Sequence, residues 1–262
     1  MTNTPKARPI ARKGASRTAD IPADVLQALS KGEIASATLT ESLALDYMLL
    51  LRTAFPNLPA AVLTQAEQAC TLGIAKRMRS IGSLLWDALG ADGIVQCQQH
   101  GSDTVRAWAC FMLAAAPAAS LEQRLSSMAP LADDTHFGVR EWSWLALRPH
   151  LAQQLPEAIQ ALTAWTAHPS EYMRRFASES LRPRGVWCAH INELKQDPAL
   201  ALPILQPLRA DTSVYVQDSV ANWLNDAAKD QPDWVRALCQ QWLSQSNNPA
   251  TQRIAARAQR SL

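Results

Sequence analysis

Acidic side chains stand among arginines at matching places in three segments of the chain. Glu141 lies in Phe137-Gly-Val-Arg-Glu-Trp-Ser-Trp144. Arg175 and Glu179 lie in Glu171-Tyr-Met-Arg-Arg-Phe-Ala-Ser-Glu179, and Asp218, Asn222 and Asp226 in Val214-Tyr-Val-Gln-Asp-Ser-Val-Ala-Asn-Trp-Leu-Asn-Asp226. The segments align on the residue before each first polar position, which is Arg140, Arg174 and Gln217. Positions i, i+4 and i+8 share one helix face. If the segments are helices stacked side by side, these six side chains turn towards one surface. Arg148, Arg174, Arg182 and Arg184 rim it, and Trp142, Trp144, Trp187 and Trp223 lie close in sequence.

Arginines and helix N-termini hold phosphates and position DNA without reading its sequence. Carboxylates beside a polyanion weaken that grip, so their presence asks for a cation. A purine alkylated at a ring nitrogen, such as 3-methyladenine, is one, and aromatic faces with carboxylates favour it. Its own charge already weakens the glycosidic bond. The step that needs help is then the oxocarbenium-like sugar, which a carboxylate stabilises while orienting a water. Taken singly, each residue also has a plainer role. Arg175 and Glu179 suit a surface ion pair worth about 0.3 kcal/mol, and Asp218, Asn222 and Asp226 suit a solvated stripe. Trp142 and Trp144 are two apart and cannot share a helix face, and Trp144 is the one expected in the core. Trp187 sits in Arg182-Pro-Arg-Gly-Val-Trp-Cys188, where Pro183 and Gly185 interrupt the helix, and suits either a surface platform or a packed ring.

The elements that must position these residues repeat. Arg106, Arg140 and Arg174 are spaced by 34 residues, Gln217 follows at 43 and Arg253 at 36. A period in this range, with Leu- and Ala-rich segments and only 9 glycines, predicts paired helices. First helices are expected at about 120–131, 155–166, 199–209 and 232–245, and second helices at about 103–116, 137–150, 171–181, 214–228 and 249–260. Asp103, Thr135 or Asp134, Ser170 and Ser213 are the expected N-caps. Such pairs bury their apolar faces only by stacking, which gives an all-α fold, an α-solenoid of HEAT-like repeats with second helices lining one surface. The long step after Arg174 marks an insertion around residues 182–188, of the kind that maps to a loop on the binding face.

Before the repeats, helices are expected from Pro22 to Gly32, from Thr38 to Phe55 with Thr38-Leu-Thr-Glu41 as a capping box, and from Pro59 to Arg79. The last would end in Lys76, Arg77 and Arg79, cations suited to a helix C-terminus. Short helices follow at about 81–89 and 92–99. Residues 1–20, with Lys6, Arg8, Arg12, Lys13 and Arg17 against Asp20 alone, suggest a flexible basic arm or simply a solvated terminus. Residues 21–262 then form one repeat domain, with N-terminal helices over 21–100 and repeats over 101–262. Cys70, Cys97, Cys110, Cys188 and Cys239 have neither Cys-x-x-Cys spacing nor a histidine at ligand distance, so no metal site and no disulfide framework is expected. The longest apolar run, Trp108 to Ala119, is too short for a membrane span and contains Pro117. With no signal-peptide core, a soluble cytoplasmic protein is expected.

The segments quoted, with His168-Pro-Ser-Glu171 and Arg182-Pro-Arg-Gly-Val-Trp187, resemble the DNA alkylation repair family of HEAT-like-repeat DNA glycosylases, in its AlkC-like branch, related to AlkD. A weaker likeness extends from about residue 20. The resemblance implies a monofunctional glycosylase without metal or cofactor, acting on double-stranded DNA that carries cationic alkylated bases, chiefly 3-methyladenine. It also implies a lesion approached without flipping into a deep pocket, in contrast to the usual strategy. Carried over by position, it places functional acids at Glu141, Glu179 and Asp226, the active-site aromatic at Trp187 and the active-site arginine at Arg175. Some members continue into an immunoglobulin-like domain, whereas this sequence ends at Leu262 and is expected to be the shorter form, a monomer working at the bacterial nucleoid.

Glu179 and Asp226 are accordingly expected to stabilise the sugar cation and hold water, Glu141 to help fix the lesion or a partner side chain, and Trp187 to pack on the damaged nucleotide. Arg148, Arg174, Arg182 and Arg184 are expected to meet phosphates, and Arg175 to enter the DNA. The alternative is a non-catalytic module that binds damaged DNA or a protein partner.

Overall fold

A computed structural model describes residues 12–118 and 120–262. Among the described residues there are fifteen α-helices, two short 3-10 turns and no β-strand. The N-terminal helices are α1 (Ala23–Ser30), α2 (Leu39–Ala44), α3 (Tyr47–Ala54), α4 (Ala60–Cys70) and α5 (Ile74–Gln98). The repeats follow as α6 (Asp103–Ala115), α7 (Leu121–Ala132), α8 (Phe137–Gln153), α9 (Leu155–Trp165), α10 (Glu171–Glu179), α11 (Asn192–Gln196), α12 (Leu202–Leu208), α13 (Val214–Ala227), α14 (Pro232–Gln245) and α15 (Pro249–Ala258). No helix among the described residues is long and apolar enough to cross a membrane.

The second helices form one row, α6, α8, α10, α13 and α15, each packed on the next; α7, α9 and α12 follow one another in an outer row, and α14 rests on α13 and α15. This is the expected HEAT-like array. The core runs between the rows, and Trp108, Met112, Leu147, Leu162, Val220, Trp223 and Trp242 are all buried in it. Each large side chain removed from water contributes about 1.5–3 kcal/mol. Two of the indoles also satisfy their N–H groups: Trp223 donates to the Leu181 carbonyl at 2.9 Å and Trp242 to Gln206 Oε1 at 2.7 Å.

The recurring arginine has a structural reason. Arg106 donates from one Nη to the carbonyls of His100 and Gly101, Arg140 to those of Asp134 and Thr135, and Arg174 to those of His168 and Pro169, all within 2.8–3.0 Å. Gln217 does the same to Asp211 at 2.8 Å. Each one clasps the turn before its own helix, whose carbonyls would otherwise lack donors. The residue at the start of that turn alternates His100, Asp134, His168, Asp211, and in all four its side chain accepts the backbone N–H two residues on. The two aspartates also take the arginine of the preceding repeat in two-point ion pairs, Arg106–Asp134 and Arg174–Asp211.

Several boundaries differ from expectation. The helix expected over 38–55 breaks at Leu45–Asp46, because Asp46 Oδ1 accepts the N–H groups of Met48 and Leu49 and starts a new helix. The helix expected to end at Arg79 stops at Cys70. Lys76, Arg77 and Arg79 fall instead in the first turns of α5, where the dipole gives them no support. Arg77 lies over the Tyr47 ring, 4.8 Å from its centroid. The two short helices expected after it are halves of α5, kinked at Gly90, whose φ of 57° and ψ of −144° only glycine adopts without strain. Thr38 caps α2 as expected, but Glu41 reaches past the cap to the Ala37 N–H at 2.8 Å. Asp103 is the first residue of α6 rather than its cap, and it accepts both the N–H and the hydroxyl of Ser36. His136, not Thr135 or Asp134, caps α8.

The free basic arm expected over 1–20 does not extend over residues 12–20. Arg12 donates to both Glu41 oxygens at 2.5 and 2.6 Å, Ala15 N–H donates to the same carboxylate, and Thr38 donates to the Ala15 carbonyl. Lys6 and Arg8 lie outside the described residues.

Candidate functional site

The site is built where the repeat array makes room for its insertion. Glu179 closes α10, and the chain then runs through an irregular loop to α11. Arg148, from the middle of α8, props that loop. Its guanidinium donates to the carbonyls of Ser180 (2.9 Å), Arg182 (2.6 Å) and Ala189 (3.1 and 3.2 Å) and is only 2% exposed. A Cβ at Gly185 would sit 2.4 Å from Cys188 Sγ, so a larger residue there would displace the Cys188 side chain. Trp187 at its tip has a φ of 61°, a left-handed conformation that costs a large residue of order 1–3 kcal/mol. Its ring stacks on Trp142 of α8, centroids 6.0 Å apart and planes 17° from parallel, and the residue is 46% exposed.

Beside this stack runs a ladder of alternating charge across three repeats. Glu141 on α8 accepts Arg175 Nη2 at 2.9 Å and the Trp144 indole N–H at 2.9 Å. Arg175 on α10 also lies 3.4 Å from Glu179 Oε2. Arg182 donates to Glu179 Oε1 at 2.7 Å and reaches Asp226 Oδ2 on α13 at 2.8 and 2.9 Å. Lys229 ends the run at 3.5 Å from Asp226. Ser219 adds its hydroxyl to Glu179 Oε2 at 2.7 Å. Burial pushes the Glu179 carboxyl up, but Arg175, Arg182 and the Ser219 hydroxyl outweigh it and hold the group below the usual carboxylate range. Burial, with the neighbouring charge of Arg182, lowers Arg148, whose guanidinium is hydrogen-bonded to carbonyls.

The ladder is closed. The space among Arg140, Glu141, Trp144, Tyr172, Arg175 and Tyr215 is about 10 Å³, far too small for a purine. A cleft of about 930 Å³ lies in the outer row between α7 and α9, but no ladder residue lines it. Among the described residues no three His, Cys, Asp or Glu side chains converge as metal ligands. The arrangement offers three carboxylates each paired with a cation, of which Glu141 reaches solvent, an exposed indole on the loop that Arg182 begins, and too little room around Glu141 and Arg175 for a purine.

A model of a family described as DNA alkylation repair enzyme matches residues 106–260, the stretch that carries the loop and the ladder. The chain belongs to that family. Pseudomonas fluorescens alkylpurine DNA glycosylase AlkC, solved bound to DNA containing an abasic site analog, is similar over 95% of this chain at 26% identity and a TM-score of 0.66. AlkD2 from Streptococcus mutans shares the fold at 20% identity and a TM-score of 0.52, over 82% of this chain and 97% of that one. YhaZ of Bacillus subtilis (strain 168), described as uncharacterized, is 43% identical over 120 residues, 46% of this chain. The chain spans 65% of the AlkC chain and the match to YhaZ covers 33% of YhaZ.

Glu141, Arg175, Glu179, Arg182 and Asp226 are thus brought together in this family member, and Trp187 stands next to them on Trp142. Four sequence expectations change. Trp142 and Trp144 are both buried, because α8 is packed by neighbours on both sides. Arg148 cannot meet a phosphate from its buried position; it is the strut of the Trp187 loop. Arg174 is committed to Asp211, and Arg184 to Asp230 at 2.8 and 2.9 Å. Asp218 and Asn222 do lie along α13, but they receive Arg253 (2.7 Å) and Arg257 (3.1 Å) from α15, and Arg260 (2.9 Å) from just past its end. From the sequence, Arg140 and Arg253 mark the repeat and nothing more, and Arg257, Arg260, Tyr172 and Tyr215 carry no expectation. Arg253 and Arg257 share a helix face by their spacing of four, and Arg260 follows three residues on, past the end of α15. Nothing in the sequence marked the tyrosines.

Proposed function

We propose that the chain is a DNA glycosylase of base excision repair that hydrolyses the N-glycosidic bond of cationic alkylated bases of the 3-methyladenine class, acting as a monomer on double-stranded DNA at the nucleoid. The observation that carries this is the closed ladder: three carboxylates from three successive repeats, held by two arginines, with an exposed indole on the same loop as Arg182 and too little space around Glu141 and Arg175 to receive a flipped base. Family membership and the likeness to AlkC support it.

In this mechanism Trp187 packs against the damaged nucleotide while Glu141 faces the cationic base. Glu179 and Asp226 stabilise the developing sugar cation and hold the attacking water. Without DNA, Arg182 bridges both. A phosphodiester is the anion that DNA brings to compete for Arg182, and its transfer would release the two carboxylates towards the sugar. Phosphates also meet the exposed cations Arg257 of α15, Arg260 just past its end, and Lys229.

Purified protein is incubated with methylated duplex in EDTA, and free bases are quantified. Release of 3-methyladenine is expected, slowed at least ~10²-fold in Glu179→Gln or Asp226→Asn, the scale of one preorganised electrostatic group. Wild-type rates in both variants would remove these acids from the reaction. The burial and full pairing of Glu179 and Asp226 favour one other reading, a non-catalytic module holding damaged DNA or a protein partner. Salt-dependent duplex binding with no base release supports that module.

A further inference from the structure

Glu141 is the ladder carboxylate that solvent reaches: its side chain is 34% exposed, against 3% for Glu179 and 6% for Asp226. A long side chain so placed would be mobile unless held, and it is held from three helices. Trp144 and Arg175 supply two of the donors. The third is the hydroxyl of Tyr215 on α13, 3.3 Å from Glu141 Oε1.

Tyr215 does more than donate once. Its hydroxyl receives Arg140 Nε at 3.4 Å, which points the remaining proton at Glu141. Its ring lies under the Arg175 guanidinium, 4.1 Å from the centroid, and its carbonyl accepts Arg175 Nη1 at 3.4 Å. Tyr172 meets it edge-on at 6.1 Å and carries Arg140 on its own face at 3.9 Å. Burial raises the Tyr215 phenol, so it stays a donor across the working pH range. One side chain thus touches both residues of the upper ladder pair, the acid through its hydroxyl and the arginine through its face.

We propose that Tyr215 is a positioning residue for base release, acting through Glu141 and Arg175 rather than on the substrate. This rests on the glycosylase function proposed above. The hydroxyl and the ring are separable: Tyr215→Phe removes the bond to Glu141 and keeps the cation–π surface, while Tyr215→Leu removes both.

The test is a double-mutant cycle with Glu141→Gln, read as single-turnover base release from methylated duplex. Tyr215→Phe is expected to slow release about tenfold, the scale of one hydrogen bond to a charged acceptor, with duplex affinity and thermal unfolding unchanged. In the Glu141→Gln background it should add nothing. Side-chain NMR of Arg175 gives a second readout that needs no activity. The upfield ring-current shift of its guanidinium protons should persist in Tyr215→Phe and vanish in Tyr215→Leu. Release by the wild type with an undiminished rate in Tyr215→Phe, an equal loss in both backgrounds, or an Arg175 signal indifferent to Leu overturns this assignment alone. No release by the wild type overturns it together with the glycosylase function.

Discussion

Trp187 combines exposure with backbone strain. Its φ of 61° is the one positive value at a non-glycine residue among those described. Such conformations persist where the surroundings over-determine them, and they cluster at functional positions. Here the surroundings are Trp142 beneath the ring, Gly185 at the tight turn, and Arg148 binding carbonyls on both sides of the tip. The strain can be measured by comparing Trp187→Gly with Trp187→Ala. Both lose the indole, so their difference reports the backbone. Glycine should be the more stable by about 1 kcal/mol in urea unfolding, the reverse of the usual order, and a more stable alanine variant would show the loop relaxing elsewhere. The sequence drew attention to Trp187 through Pro183, Gly185 and the flanking arginines. It could not show Trp142 as the stacking partner, because the rule that residues two apart face opposite ways separates core from solvent only when a helix has a solvent side. Arg148 misled for a related reason: its acceptors are carbonyls of a loop more than thirty residues away, and no local pattern announces them.

At the scale of elements, the helix pairs from residue 103 onward were legible to within a few residues, since period, proline and capping residues agree there. The N-terminal helices were less so. Asp46 in mid-helix looks like a solvated residue until its carboxylate is seen capping α3, and the weak punctuation Thr71-Leu72-Gly73 hid the start of α5. The docking of residues 12–20 on α2 was the least visible, because it hangs on one buried carboxylate. Glu41 is fully buried, and the hydrogen-bonded Arg12 guanidinium holds its carboxyl at about 2. Its folded pKa lies below the ordinary carboxylate value, so the stabilisation is complete above about pH 5 and lost as pH falls towards 2. Allowing for Arg12, whose side chain is 32% exposed, it is worth roughly 2 kcal/mol. Glu41→Gln should therefore lower the unfolding free energy at pH 7, and its difference from the wild type should shrink as urea titrations move from pH 5 to pH 2. A difference that does not change with pH would mean that packing, not charge, holds the segment.

For the whole molecule, net charge is +2 and gives no hint of a nucleic-acid partner. The distribution does. The ladder is neutral within itself, and arginines expected at its rim are spent on aspartates or carbonyls. On α15, Arg253 and Arg257 share one acid, Asp218, and Arg260, just past its end, bonds Asn222 and a carbonyl. The array thus runs from a neutral acidic-basic centre to a cationic end, which suits DNA gripped beside the lesion rather than at it. Each phosphate contact contributes about 0.9 to the slope of log affinity against log salt. Arg257→Gln with Arg260→Gln should reduce that slope by roughly 2, while Arg236→Gln on α14 leaves it as it is. An unchanged slope in the double variant would move the phosphate contacts off α15.

The turns that open α6, α8, α10 and α13 begin alternately with histidine and aspartate, and only the aspartates join the arginine of the repeat before. At this position the contacts between repeats are therefore of two kinds, ionic at Arg106–Asp134 and Arg174–Asp211 and without an ion pair between Arg140 and His168. Such a run has parity. Duplication or loss of one of these helix pairs would set two like turns side by side, while a change of two would keep the alternation.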